Sequence, residues 1–138
     1  MAYRVGTTRG SAFGRVFFLL VNIFYAVALA GVSMMSEPPY VPVLSRTDWL
    51  SHGLAYLVQS LLLFLLFREM LPRWSAIAAA AGTAMLFGVV MEVVQLVMPG
   101  RFFELHDVLA NTVGIIVGVL VLAGIGPLVR ARPGDVPS

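Results

Sequence analysis

One carboxylate lies inside an apolar stretch of this 138-residue sequence. Glu92 falls in a segment of residues 74–98 that carries no other charge, about 9 Å from its end if the segment is helical. If such a segment spans a membrane, an ionisable group at that depth indicates a functional site. The group can accept hydrogen bonds or move a proton. A purely structural, hydrogen-bonded glutamate is the alternative interpretation.

Other polar and small residues share helical faces near the same level. At about 100° per residue, they form one stripe on each of three apolar segments. The stripes consist of Asp48, His52, Tyr56 and Gln59; Gly88, Glu92 and Gln95; and Asp107, Asn111, Gly114 and Gly118. Because polar side chains avoid lipid, we expect the three stripes to face one another. The sequence thus predicts one convergent polar site.

The residue types favour acid–base chemistry and binding of a polar ligand. The predicted catalytic residues are Asp48, His52, Glu92 and Asp107. The predicted substrate-binding residues are Tyr56, Gln95, Arg101 and Asn111. Arg101 is interpreted as a counter-charge for the acids or as a phosphate ligand. None of the three stripes contains a serine or cysteine nucleophile, and their spacing is not specific for a metal and does not indicate a cofactor.

Each of these residues also has a structural interpretation. Asp48 and Asp107 are suitable N-caps for the helices that follow them. His52 could donate to a backbone carbonyl as a packing residue. Tyr56 and Gln59 fit interhelical hydrogen bonds better than a site.

The composition excludes an ordinary soluble domain. Hydrophobic residues make up 59% of the chain, charged residues make up 12%, and the mean hydropathy is +0.93. Soluble domains devote about a quarter of their residues to charge, so this chain is adapted to lipid. The absence of cysteine excludes disulfides and thiolate metal sites.

Charged residues bracket four apolar windows of about 19 to 25 residues, each long enough for a helix to cross a bilayer. The predicted helices cover about 16–36, 48–67, 74–98 and 107–129. Barrel strands are shorter and alternate in polarity, so they do not fit. The predicted fold is an all-α membrane protein, a four-transmembrane-helix bundle.

The distribution of arginine predicts the orientation. With the N-terminus inside, seven arginines lie on the cytoplasmic side and two, Arg46 and Arg101, lie outside. Both termini are then cytoplasmic, and the polar site faces outward. The predicted organisation is a cytoplasmic segment 1–15, one membrane domain 16–131 and a cytoplasmic tail 132–138. The small residues 28–30 also resemble a signal-peptide cleavage site, which leaves removal of the first helix open.

The order and spacing of these motifs resemble the VanZ-like family of small bacterial integral membrane proteins. The residues that match are Asp48-x-x-x-His52, Glu92-x-x-Gln95, Pro99-Gly100-Arg101 and Asp107-x-x-x-Asn111-x-x-Gly114-x-x-x-Gly118. The resemblance covers about residues 48–118 and leaves out the first helix. Many relatives have lysine after the first aspartate, where this chain has Trp49. The family is named for an accessory protein associated with low-level teicoplanin resistance, and the resemblance implies the bacterial cytoplasmic membrane.

The leading functional hypothesis is an extracytoplasmic site that recognises, and in one version processes, a lipid-linked envelope precursor or a phospholipid head group. A non-catalytic accessory or scaffold protein that contacts other envelope proteins is the main alternative. A small proton-coupled multidrug exporter is disfavoured because the first helix carries no charge. Nucleic acid is not an expected partner. Whether the protein is an enzyme, and whether it forms a homo-oligomer through Gly114 and Gly118, stays open.

Overall fold

The structure, a computed structural model, describes residues 11–35, 48–98 and 105–130, except for the side chains of Asp48 and 125–130. Within these ranges the chain forms helices and turns and contains no strand. The helices are α1 (Ala12–Ser33), α2 (Asp48–Phe67), α3 (Arg73–Leu96) and α4 (Leu105–Arg130). All four are long and apolar enough to cross a membrane. The predicted four-helix transmembrane fold is confirmed.

Helix ends differ from the predicted windows, most clearly in α1. This helix begins four residues before the predicted start, because Ser11 caps it by accepting a 2.9 Å hydrogen bond from the Gly14 amide. Arg15 therefore lies in the first turn, where its side chain is exposed. At the other end, α1 stops at Ser33 and α3 stops at Leu96. Charges mark where an apolar span ends, whereas capping decides where a helix ends.

The central helix is α2, which contacts each of the other three. Its most extensive packing is against α4. Among the described residues, α1 packs mainly on α2, touches α3 slightly and does not contact α4. The contacts between Asn22 and Leu62 and between Arg73 and Leu122 show that α1 and α3 run antiparallel to α2 and α4.

The two ends of the bundle differ in residue type. We call the end at which α2 and α4 begin the site end, because it carries His52 and Asp107. We call the opposite end the arginine end, because it carries Arg15, Arg68 and Arg73. The apolar core lies mostly toward the arginine end and includes Leu63, Phe64, Ala76, Ile77 and Ala80.

Glycines bring α2 and α4 into backbone contact. A Cβ added at Gly114 would overlap the carbonyl oxygen of Gly53 and lie 2.8 Å from its carbonyl carbon. One turn further along α4, a Cβ at Gly118 would overlap the Ser60 hydroxyl oxygen. Both glycines are therefore used for packing within the chain.

Arg73 closes a gap in the hydrogen bonding of α4. Pro127 lies inside α4 and has no backbone N–H, so the carbonyl of Ala123 lacks its usual helical donor. Nη2 of Arg73 donates to the carbonyl oxygens of Leu122 at 2.6 Å and Ala123 at 2.8 Å. The guanidinium thus joins α3 to α4 where an unsatisfied carbonyl would be costly.

Candidate functional site

At the site end, a histidine on α2 faces an aspartate on α4. Nε2 of His52 lies 3.6 Å from Oδ2 of Asp107, and the two side chains are 22% and 15% exposed. The close packing of Gly53 against Gly114, further into the bundle, brings the two helices near enough for this pair to form. Both side chains are therefore held by the scaffold and remain partly exposed.

Asp107 is not the N-cap of α4. The helix begins at Leu105, which places Asp107 in its first turn. A negative charge there is stabilised by the positive end of the helix dipole. The neighbouring His106 also belongs to α4. Its side chain is exposed, and it takes no part in the described contact between His52 and Asp107. The capping interpretation of Asp107 is therefore wrong.

Glu92 is buried on α3, near Tyr56 of α2. It is only 3% exposed and lies four residues before the end of α3, about 6 Å along the helix axis. The predicted 9 Å was larger because α3 ends at Leu96. One turn earlier, Gly88 makes room for the ring of Tyr56: a Cβ there would lie 3.0 Å from Cε1 and 3.4 Å from the hydroxyl oxygen. Tyr56 is within electrostatic range of Glu92.

Gln95 is buried beside Glu92 on α3, but its amide is directed to α1. Its Nε2 donates a 3.0 Å hydrogen bond to the carbonyl oxygen of Ser33, at the end of α1. The predicted ligand-binding amide group is therefore already engaged by the protein. In this arrangement Gln95 holds α1 against the site end.

Asn111 is a predicted site residue whose side-chain oxygen is buried. It is 5% exposed, and its Oδ1 accepts no hydrogen bond within the described part of the chain. The side chain lines a crevice of about 10 Å³ between α3 and α4, together with Gly88, Val89 and Val108. Gln59, deeper on α2, is also buried with an unused Oε1.

The first helix contributes to this layer, which the sequence analysis did not predict. The Tyr25 hydroxyl donates to the carbonyl oxygen of Ala55 at 2.9 Å and is within electrostatic range of Tyr56. Farther from the site end, Nδ2 of Asn22 donates to the carbonyl oxygen of Leu62 at 2.9 Å. The sequence did carry a signal, because Asn22 is an amide residue within an otherwise apolar span. A search for charged residues does not detect it.

Three predicted site features lie outside the part of the chain that the structure describes. These are Arg101, the Pro99-Gly100 pair before it and the side chain of Asp48. Their contribution to the site remains a prediction. Among the described residues, no group of three or more histidine, cysteine, aspartate or glutamate side chains could hold a metal ion.

The family model described as VanZ/LLP1 matches residues 17–126, which include α2, α3, most of α1 and α4, and every motif discussed above. The chain belongs to the VanZ family. The match is longer than the resemblance over residues 48–118, because it also takes in α1. No curated protein and no solved structure matches the chain.

In this VanZ family protein, the polar residues therefore form two parts. The His52–Asp107 pair lies between α2 and α4 and is partly exposed. The second part, around Glu92 and Tyr56, is buried between α2 and α3. The exposed pair can contact a ligand directly, whereas the buried part can act on it only through its neighbours.

Proposed function

We propose that the site end binds the polar head group of an amphipathic envelope molecule, either a lipid-linked cell-wall precursor or a phospholipid. The observation that carries this proposal is the His52–Asp107 pair, which is partly exposed at the end of four membrane-spanning helices. A molecule whose chains lie in the bilayer would present its head group at this level. The head group could then contact His52 and Asp107 while the chains of the ligand stay in the bilayer.

The chemistry of the pair suits such a head group. An aspartate close to one ring nitrogen of a histidine favours one orientation of the ring, and the other ring nitrogen can donate to a phosphate oxygen or exchange a proton with the ligand. In the proposal, Arg101 supplies positive charge for the phosphate, and Asp48 lies at the start of α2 beside the same surface. Glu92 and Tyr56, which are buried, contribute to the electrostatic potential at the His52–Asp107 pair.

The size of the crevice described between the helices favours binding of a head group at the surface of the bundle over its enclosure inside. The crevice between α3 and α4 measures only about 10 Å³, roughly the space of one water molecule. A head group does not fit in this crevice, and in the proposal it binds at the end of the helices. The enzymatic version of the proposal adds a proton transfer by His52 during cleavage or transfer of the bound head group.

The proposal includes the bacterial cytoplasmic membrane, with the site end on the outer face. Teicoplanin acts on the outside of the cell, where this site would meet cell-wall precursors. Expression of the wild-type protein in a susceptible bacterium is expected to raise the teicoplanin concentration needed to stop growth. Expression of His52→Ala at the same level is expected to give no increase.

The direct test uses purified protein in a mild detergent, with the retained lipids identified by mass spectrometry. The wild type is expected to retain a phosphate-bearing lipid at a reproducible molar ratio. His52→Ala is expected to lower that ratio about fivefold or more, since it removes a hydrogen bond to a charged group. His106→Ala is the matched control, because it removes an exposed histidine at the same end of the bundle.

Two results would argue against the proposal. Wild-type protein that retains no lipid above the level of the detergent blank would favour the scaffold alternative. Equal lipid retention by His52→Ala and His106→Ala would remove the pair from the binding site. Asp107→Asn separates binding from chemistry: retained lipid with loss of a lipid-modifying activity would indicate an enzyme, and unchanged activity would exclude this pair as its catalyst.

A further inference from the structure

Two exposed arginines lie where the first turn of α1 packs against the turn that follows α2, a place that we call the α1–α2 junction. Arg15 is in the first turn of α1, and Arg68 directly follows the last residue of α2. The hydrogen bond from Asn22 to Leu62 fixes how these antiparallel helices pair. Two helical turns toward the arginine end, the same pairing leads to Arg15 on α1 and to Glu69 on the other side, beside Arg68.

A direct contact supports this placement. A Cβ added at Gly14, next to Arg15, would lie 3.0 Å from Oε2 of Glu69, next to Arg68. The turn after α2 is fixed by backbone hydrogen bonds, among them one of 2.9 Å from the Arg68 amide to the Phe64 carbonyl. The backbone segments that carry the two arginines are therefore held against each other.

Positive charge is in excess at this junction. Neither Arg15 nor Arg68 forms an ion pair within the part of the chain that the structure describes. The Glu69 carboxylate lies against the first turn of α1, where the positive end of the helix dipole stabilises it. Arg73, the next arginine along the chain, already donates to two backbone carbonyls of α4. Two guanidinium groups are thus left to bind one anion.

The surroundings favour a phosphate that carries alkyl chains. Guanidinium groups match the oxygens of a phosphate, and an anion between two cations removes their mutual repulsion. The junction lies at the ends of two membrane-spanning helices, at the level of lipid head groups. Apolar surface continues from it into the bilayer, because Leu19, one turn after Arg15 on the same face, is 46% exposed.

We propose that the α1–α2 junction binds an anionic phospholipid, such as phosphatidylglycerol, whose phosphate is held between Arg15 and Arg68. A zwitterionic lipid binds more weakly, since its ammonium group is repelled by the same arginines. A lipid bound in this way also holds α1 against α2, because its two ligands lie on different helices. The site is at the opposite end of the bundle from His52 and Asp107, so it does not rest on the proposed function.

Lipid titration of the purified protein, followed by native mass spectrometry, tests this site. Phosphatidylglycerol and phosphatidylcholine with the same chains are added separately in a neutral detergent, and their dissociation constants are compared. Phosphatidylglycerol is expected to bind about 25-fold more tightly, from about fivefold for each arginine. Equal affinity for the two lipids would overturn the proposal without any mutation.

Variants then assign the two arginines. Arg15→Gln and Arg68→Gln are each expected to weaken phosphatidylglycerol binding about fivefold. Unchanged phosphatidylcholine binding shows that the variants are folded. Arg46→Gln is the matched control, because it removes the same charge just before α2, at the other end of the bundle. An equal loss in Arg46→Gln would attribute the preference to net charge and overturn the assignment.

Two further arms identify the ligand and separate the two ends of the bundle. Glycerophosphoglycerol, the same head group without chains, is expected not to displace the lipid at equal concentration. Displacement would make the junction a site for a free phosphate ester and overturn the lipid as its ligand. In His52→Ala the preference for phosphatidylglycerol is expected to persist. Its loss in His52→Ala, with no effect of Arg15→Gln or Arg68→Gln, would overturn this proposal and leave the proposed function standing.

Discussion

The backbone of Gly53 occupies the space into which a side chain at Gly114 would extend. A Cβ on Gly114 would lie 2.8 Å from the Gly53 carbonyl carbon and 3.0 Å from its Cα, closer than atoms in folded proteins normally approach. The contact lets the backbones of α2 and α4 meet, as small residues do in membrane helix pairs. Because His52 and Asp107 lie toward the site end of the same two helices, this contact sets the distance between them.

Gly114→Ala is expected to destabilise the bundle by about 1–3 kcal/mol, the usual cost of overpacking, because the opposing atoms are backbone and cannot rotate away. Gly124→Ala is the matched control on the same helix, since nothing lies within 4 Å of its added Cβ. The free energy of unfolding in detergent measures both. An equal effect of the two substitutions would contradict the assigned contact.

Arg73→Ala is expected to cost about 1.5–3 kcal/mol of stability, because it removes two charged hydrogen bonds to carbonyls of α4. Pro127→Ala restores an N–H that can donate to the Ala123 carbonyl. In that background the cost of Arg73→Ala should therefore fall, by about 1 kcal/mol. A double-mutant cycle of unfolding free energies measures this coupling.

Arg68→Ala is the control for this cycle. Arg68 is exposed and lies 5.9 Å from the centre of the Phe64 ring, so its removal is expected to cost about 1 kcal/mol at most. Its effect should be the same with or without Pro127. Additive effects of Arg73→Ala and Pro127→Ala would show that the guanidinium does not compensate for the proline.

Polar contacts from Asn22 and Tyr25 are expected to hold α1 against α2. Asn22→Leu and Tyr25→Phe each remove an interhelical hydrogen bond, which is worth about 0.6 kcal/mol on average within membranes and up to about 1.7. Phe24 lies on the same helix and is 77% exposed, so Phe24→Leu is expected to change the stability little. Unfolding measurements in which Asn22→Leu behaves like Phe24→Leu would argue against this role.

Arginine distribution predicts that the site end faces the outside of the cell. The chain contains no cysteine, so introduced cysteines report their position without background. With a membrane-impermeant maleimide, Tyr40→Cys between α1 and α2 should be labelled in intact cells. Met70→Cys, in the exposed turn between α2 and α3, should be labelled only after lysis. The reverse pattern would place the site end in the cytoplasm.

The sequence by itself determined the four spans and the inward-facing side of most of their polar residues. Charge-free windows of sufficient length can form only membrane helices, and helical periodicity fixes which residues share a face. Glu92, Gln95 and Asn111 are buried as this periodicity requires. Helix ends shifted by a few residues because caps, such as Ser11, lie outside the apolar pattern.

Only the tertiary structure decided which faces meet. Periodicity gives the angle of a residue on its own helix, but the neighbour depends on how closely two backbones can approach. Gly53 and Gly114 make α2 and α4 the closest pair, so His52 faces Asp107, while Tyr56 fits against Gly88 near Glu92. The hydrogen bonds from Gln95 to α1 and from Arg73 to α4 likewise join residues distant in sequence, where local pattern carries no information about the partner.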